Sequence, residues 1–490
     1  MFKRFPNNLL VLVFLTTCLS SFGQKTVQTA LDKVLKNSHM KNALFGFTLY
    51  DLDSSIFLFE NQADISLVPA STMKLVTTGA ALEILGANYK FSTRIQYDGE
   101  IDEKSGTLKG NLYIKGGGDP TLGSRFFGAQ NKIFLPEWVA AIQKAGIKRI
   151  EGNIIADADV YSNEMIAPTW IWGDIGNYYG AGPSGLTVYD NQLSFYFTSG
   201  SKPGDTTKLD SIVPFVPGLK VHNYVRAYET FSDDSYITGA PYTNVRYASG
   251  NIPKNKSGFE VKGTQPDPPF LVAFQLATIL TDSNITLVGT PTTTRIIKEN
   301  GLTVNYKNRK DIHKTYSQPL SSIVYWTNLV SNNLFAEHLM RSCGVAKFGD
   351  GSVYSGTKAI ESFWRSKDID MSGFYMNDGS GLSRADAITA RQLTLMLAYM
   401  KKSPVYDTFF KSLPVAGKSG TLTNVAKGTT AQGKISAKSG TISRVKSYSG
   451  YCTTKSGRNL AFTMISNNHA CSASEIKSMM ESLMVAMAEL

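Results

Sequence analysis

Histidine and cysteine are scarce in this chain, and their placement removes several function classes at once. The five histidines, at positions 39, 222, 313, 338 and 469, are scattered, and neither a C-x-x-C nor an H-E-x-x-H string occurs. No structural or catalytic metal is therefore expected, and no cofactor is called for. Of the four cysteines, Cys18 lies in a leader-like segment, leaving Cys343, Cys452 and Cys471. An odd number excludes a full disulfide framework and leaves at most one bridge plus a free thiol. Runs of basic residues interleaved with aromatics are also missing, so nucleic acid is not an expected partner. The apolar run Leu9 to Leu15 is too short to span a bilayer, which argues against a stable transmembrane anchor.

What is present is the composition of a globular protein: 42% hydrophobic and 18% charged residues over 490 positions, enough for two or three domains. Lys3 and Arg4, the apolar run, and the small residues Ser21 and Gly23 read as a secretion signal cleaved near Gly23. The expectation is an exported, periplasmic protein, with residues 1–23 removed. Thr17 before Cys18 is a poor fit to a lipid-attachment box. Loss of Lys3 and Arg4 takes the formal charge from +11 to +9, which suits a polyanionic envelope but is weak evidence.

Hydrophobic spacing divides the chain. Helical spacing is seen over Thr26 to Leu35, from Ser71 to a stop at Gly86, over Ser321 to Met340, and over Ser474 to Ala488. Phe45 to Tyr50 and Ile56 to Phe59 read as paired strands, and Gly433 to Ile465 is strand-rich. Between these ends, the helix predicted over Pro136 to Ala145 is followed by Ile147 to Gly152, and that over Phe270 to Leu280 by Ile285 to Gly289. This faint echo suggests two helix–strand units of one inserted domain. Leu193 to Lys262 reads as a small β-domain. The Met-rich terminal helix is expected to pack on the terminal sheet rather than seek a membrane. The expected division is 24–92 with 301–490 as one unit, 93–192 with 263–300 as a second, and 193–262 nested inside it.

Three short motifs in fixed order carry the chemistry: Ser71-Thr72-Met73-Lys74, Ser331-Asn332-Asn333 and Lys438-Ser439-Gly440-Thr441. As S-x-x-K, S-x-N and K-[ST]-G they are the parts of a serine acyl-transfer site that needs no histidine. Ser71 and Lys74 project from one helix face, and a neutral amine can take the serine proton. Burial beside a second cation, Lys438, is expected to lower the pKa of Lys74. Ser331 would relay the leaving-group proton, Asn333 would hold the substrate amide, and Lys438 would attract a terminal carboxylate. The backbone N–H groups of Ser71 and Thr441 would form an oxyanion hole, and the strand after Lys438 would align a peptide by β-pairing.

Each string also has decoys. S-x-x-K recurs five times, Ser466-Asn467-Asn468 repeats S-N-N after Lys438, and Lys418-Ser419-Gly420-Thr421 repeats K-S-G-T. Lys438 is preferred because Lys434 to Lys438 alternates like a strand, whereas Gly417 to Thr421 follows Pro414 in a turn-rich stretch. Glu337 and His338 read as helix-face residues rather than catalysts.

With these motifs the chain resembles the class C low-molecular-mass penicillin-binding proteins, of the D-alanyl-D-alanine carboxypeptidase/endopeptidase type. The resemblance also rests on Tyr113 to Leu122 (Y-I-K-G-G-G-D-P-T-L), Asn377 to Arg384 (N-D-G-S-G-L-S-R) and Leu413 to Gly417. It implies an α/β (α+β) fold: a transpeptidase-like catalytic domain, an antiparallel sheet flanked by helices, with a large insert forming two further β-rich domains. It implies cleavage of peptidoglycan stem peptides and cross-links through a Ser71 acyl-enzyme, with β-lactams as covalent inhibitors. Asp174, Tyr179 and Arg384 would line a pocket for the stem-peptide diamino acid, with Ser439 and Gly440 also touching substrate. The alternative for Asp174 and Arg384 is a structural ion pair. Two rival functions stay open, a serine β-lactamase and a non-catalytic penicillin-binding sensor or peptidoglycan-binding module. No E-x-x-L-N-type deacylating segment supports the first. Homodimer formation is left open.

Overall fold

The computed structural model describes residues 25–128 and 133–490. The expected secretion signal and Cys18 lie outside the described residues. The two chain ends build one antiparallel sheet, in the order Ile435–Ile442, Val445–Thr453, Asn459–Asn467, Leu44–Asp51, Ile56–Asn61. The N-terminal hairpin docks along the last strand from Leu44 opposite Asn467 to Asp51 opposite Leu460.

Side chains alternate across this sheet, and both faces are covered. Phe45, Phe47, Leu49, Phe462 and Met464 meet the helix over 25–35 and the terminal helix Ala473–Ala488. The terminal helix contributes buried Met480, Leu483, Met484 and Met487, so it packs on the sheet as its spacing predicts. The opposite face carries helices Met73–Leu85, Leu320–Leu329, Asn333–Phe348, Val353–Arg365 and Ala390–Lys402. Residues 73–82 are all buried, as expected of a helix that is apolar all round.

The helical pattern over Ser321 to Met340 forms as two helices. Ser331 has φ +61°, which an α-helix of L-residues cannot continue through. Asn332 then caps the second helix by accepting a hydrogen bond from Phe335 N at 3.0 Å.

The insert is centred on a five-stranded sheet, Pro291–Thr293, Ile154–Asp157, Leu112–Lys115, Ser92–Tyr97 and Lys310–Tyr316. The internal echo has a structural form. Helices Phe134–Lys144 and Pro268–Asp282 are each followed by two short strands, and the corresponding strands pair in parallel. Lys310–Tyr316 pairs with Ser92–Tyr97 and closes this sheet. The 193–262 stretch supplies two further small sheets around Leu193, Phe195, Phe197, Ile237, Ile252 and Val261.

His338 and Glu337 are not solvated. His338 is fully buried, with Nε2 2.9 Å from Thr187 Oγ1 and Nδ1 2.9 Å from Gly118 O, which fastens the Ser331 helix to the insert.

Candidate active site

Ser71 sits on a 3₁₀ turn, Ala70–Thr72, that runs into the buried helix Met73–Leu85. Ala70 before it has φ +48°, a left-handed conformation held by its surroundings. Thr72 Oγ1 and Ser447 Oγ both donate to Pro69 O, at 2.8 and 2.6 Å. The Asn467 side chain pairs with Val68 N and Val68 O at 2.8 and 3.0 Å, so the S-N-N decoy braces the turn. Gly440 is a glycine for steric reasons, since a Cβ there would lie 2.8 Å from Ser71 N and 2.3 Å from Ser447 Oγ.

Lys74 is fully buried, and its Nζ contacts three acceptors: Ser71 Oγ at 3.0 Å, Asn333 Oδ1 at 2.6 Å and Ser380 O at 2.7 Å. A neutral amine has two hydrogens and one lone pair. Asn333 Oδ1 and Ser380 O can only accept, so they hold the hydrogens and turn the lone pair to Ser71 Oγ. Burial pushes the Lys74 pKa down to about 7, against the opposing pull of Asp378, Glu337 and Asp386.

Lys438 is also fully buried and donates to Ser331 Oγ at 2.9 Å and Ser439 O at 2.6 Å. Burial, then the charges of Lys74 and Lys446, hold it well below the usual lysine range. Burial is the largest cause for both amines, as expected of Lys74, and the repulsion between them is mutual. Two charged ammonium groups in one dry cleft are disfavoured, so at least one is neutral at pH 7.

The strand carrying Lys438 is the edge of the main sheet. Ala416 N donates to Ile435 O and Ala437 N to Pro414 O, both at 2.9 Å, so backbone groups of odd-numbered residues face away from the neighbouring strand. The same parity turns the N–H groups of Ser439 and Thr441 to the open part of the edge. That is the geometry a docking peptide strand requires. Ser439 Oγ donates to Thr421 Oγ1 at 2.9 Å, and Lys446 Nζ donates to Thr441 Oγ1 at 2.8 Å.

Sequence reasoning missed the acidic support beneath Lys74. Asp378 accepts from Trp170 Nε1 at 2.6 Å, Gly381 N at 2.6 Å and Ser383 N at 2.7 Å, shaping the loop that presents Ser380 O. Glu337 accepts from Gly379 N at 3.1 Å; burial and the Asp378 carboxylate raise its pKa to about 8. The same two causes, burial first, raise Asp386 well above the carboxylate range. The Asn377 to Arg384 string held the signal, but only Arg384 was read from it.

Of the three pocket residues, two touch. Tyr179 Oη donates to Asp174 Oδ1 at 3.3 Å, and Tyr179 O accepts from Asn333 Nδ2 at 2.8 Å, which links this wall to the catalytic cleft. Burial raises the Asp174 pKa, opposed by Tyr179 and by the Arg384 charge. Arg384 is exposed, and its charge reaches Asp174. Its neighbour Leu382 packs with Trp170 and Ala167 against Ile175 and Tyr179.

Comparison with known proteins agrees over nearly the whole chain. The family model described as D-Ala-D-Ala carboxypeptidase 3 (S13) matches residues 27–490. A D-alanyl-D-alanine carboxypeptidase of Actinomadura sp. is 28% identical over 459 residues, covering 90% of this chain and 80% of the relative. The D-alanyl-D-alanine carboxypeptidase DacB of Haemophilus influenzae is 23% identical over 478 residues, covering 94% and 91%. The crystal structure of penicillin binding protein 4 from H. influenzae has the same fold, with a TM-score of 0.78 at 21% identity over 94% of this chain and 99% of that one.

Proposed function

The chain belongs to the D-Ala-D-Ala carboxypeptidase 3 (S13) family and is by that membership a serine-type D-Ala-D-Ala carboxypeptidase; from this premise we propose that Ser71 is its nucleophile and Lys74 its base. The observation that carries the assignment is the buried Lys74 amine 3.0 Å from Ser71 Oγ, with its other contacts taken by fixed acceptors.

Ser71 Oγ attacks the carbonyl between two D-alanines as its proton passes to Lys74 Nζ. The oxyanion is received by the N–H groups of Ser71 and Thr441. Ser331, hydrogen-bonded to Lys438, relays that proton from Lys74 to the departing amine, so D-alanine leaves and Lys74 is neutral again. Water then attacks the acyl-enzyme, Lys74 takes its proton, and Ser71 Oγ is restored. Lys438 draws the substrate carboxylate, Asn333 holds the peptide amide, and the Ser439–Thr441 edge pairs with the substrate backbone. Asp174, Tyr179 and Arg384 receive the side chain of the stem-peptide diamino acid, with a carboxylate for its ammonium and a guanidinium for its carboxylate.

The same cleft accommodates a cross-link in place of the terminal D-alanine, which makes endopeptidase cleavage the second reaction of one site. A β-lactam acylates Ser71 because its strained lactam mimics the substrate, and the adduct persists because the leaving group stays tethered. The penicillin binding protein 4 of H. influenzae has been crystallised with a β-lactam. Peptidoglycan as substrate requires export, consistent with the Lys3 to Gly23 leader; no helix among the described residues is long and apolar enough to cross a membrane. The test is D-alanine release from a stem pentapeptide. Ser71→Ala should lose it to background, and a Ser71→Ala protein working at the parent rate refutes the assignment.

A further inference from the structure

The scattered histidines predict no metal, yet folding brings one of them to a cysteine and a carboxylate at a corner remote in sequence from the catalytic motifs. Donor atoms of His39, Cys471 and Glu475 all lie within 4.8 Å of one another. His39 Nδ1 is 3.0 and 2.8 Å from the two Glu475 oxygens. We propose that His39, Cys471 and Glu475 are the protein ligands of a zinc-class divalent cation, which pins the start of the main sheet to the start of the terminal helix.

The surroundings are those of a held site. Asn37 Nδ2 donates to Glu475 Oε1 at 3.1 Å, and Asn37 Oδ1 accepts from His39 N at 2.8 Å, so one residue orients two of the ligands. His39 O accepts from Ala470 N at 2.9 Å, which joins the two backbones beside the donors. Glu475 N donates to Ser472 Oγ at 3.2 Å, fixing the first turn of Ala473–Ala488 and the carboxylate it carries.

Zinc bonds of about 2.0–2.3 Å to nitrogen, oxygen and sulfur separate tetrahedral ligand atoms by roughly 3.3–3.8 Å, within reach of this cluster by side-chain rotation alone. Imidazole with thiolate selects zinc-class ions over magnesium and calcium, and three protein ligands leave the fourth position to water. Binding converts the Cys471 thiol to a metal-bound thiolate and gives its proton to solvent. Cys343 and Cys452 are fully buried and cannot substitute. The site is independent of the peptidase assignment.

The test is titration of the metal-free protein with cobalt(II), followed by zinc. The expected result is one equivalent bound with a thiolate-to-cobalt charge-transfer band, displaced by zinc. Cys471→Ser should lose the band, and His39→Ala and Glu475→Gln should weaken binding about 10–100-fold. Zinc should raise the melting temperature of the parent and leave that of Cys471→Ser unchanged, with melting curves of the metal-free variants checking that each one folds. Absence of the band in the parent, or the same band in Cys471→Ser, overturns the proposal.

Discussion

Lys-Ser-Gly-Thr occurs twice in this chain, at 418–421 and 438–441, and the two copies meet opposite fates. Lys418 is exposed on a tight turn, its N–H bonded to Val415 O at 3.0 Å. Lys438 is fully buried on an edge strand, with its amine on Ser331. The tetrapeptide itself carries no catalytic property. What differs is the desolvation of the amine and the direction of the backbone N–H groups, and both come from the strand. The copies also touch, through Ser439 Oγ and Thr421 Oγ1, so the first copy becomes part of the rim of the second.

The comparison breaks most visibly if the lysines are exchanged for alanine one at a time. Lys438→Ala should cut D-alanine release by about 10²–10⁴-fold, the range for loss of a positioned acid–base group. Lys418→Ala should stay within about twofold, and equal losses in the two variants would remove the distinction. The glycines come next. Gly440→Ala pushes a methyl into Ser447 and the Ser71 backbone, and should slow β-lactam acylation by about 10²-fold. Gly420→Ala meets Leu329 O at 2.3 Å with φ +54°, and should lower the melting temperature more than the acylation rate.

The pH dependence sharpens the contrast between buried and exposed amines. A lysine with a pKa near 7 is protonated below that value and cannot take the Ser71 proton. Acylation should therefore fall about tenfold for each pH unit below 7 and level off above it. Removing a carboxylate that favours the charged amine, as in Asp378→Asn, should shift this profile to lower pH. A profile flat from pH 5 to 8 would contradict the assignment of Lys74 as base. The smallest effect is expected at the contact between the copies. Thr421→Val removes one exposed hydroxyl hydrogen bond and should change KM for a stem pentapeptide by about threefold or less.

Much of this was legible in the sequence because the motifs are local. Ser71, Lys74, Ser331, Asn333 and Lys438 were named from strings of three or four residues, and folding bonds Lys74 to Ser71 and Asn333, and Lys438 to Ser331. The helical pattern over Ser321 to Met340 did not show where it divides, because one residue decides it: Ser331 in the left-handed conformation. The acids beneath Lys74 were missed, because segments far apart in sequence bring them there. Glu337 read as a helix-face residue, and its burial beneath Lys74 comes from packing that hydrophobic spacing does not report. The His39–Cys471–Glu475 corner was invisible for the same reason, with its members separated by up to 436 residues.

The account depends most on Ser71 being the one residue that is acylated. Benzylpenicillin treatment followed by intact-mass and peptide mapping tests this directly. One adduct should appear, on the peptide containing Ser71, absent from Ser71→Ala and strongly slowed in Lys74→Met. An adduct on any other residue, or one that forms undiminished in Ser71→Ala, would contradict it.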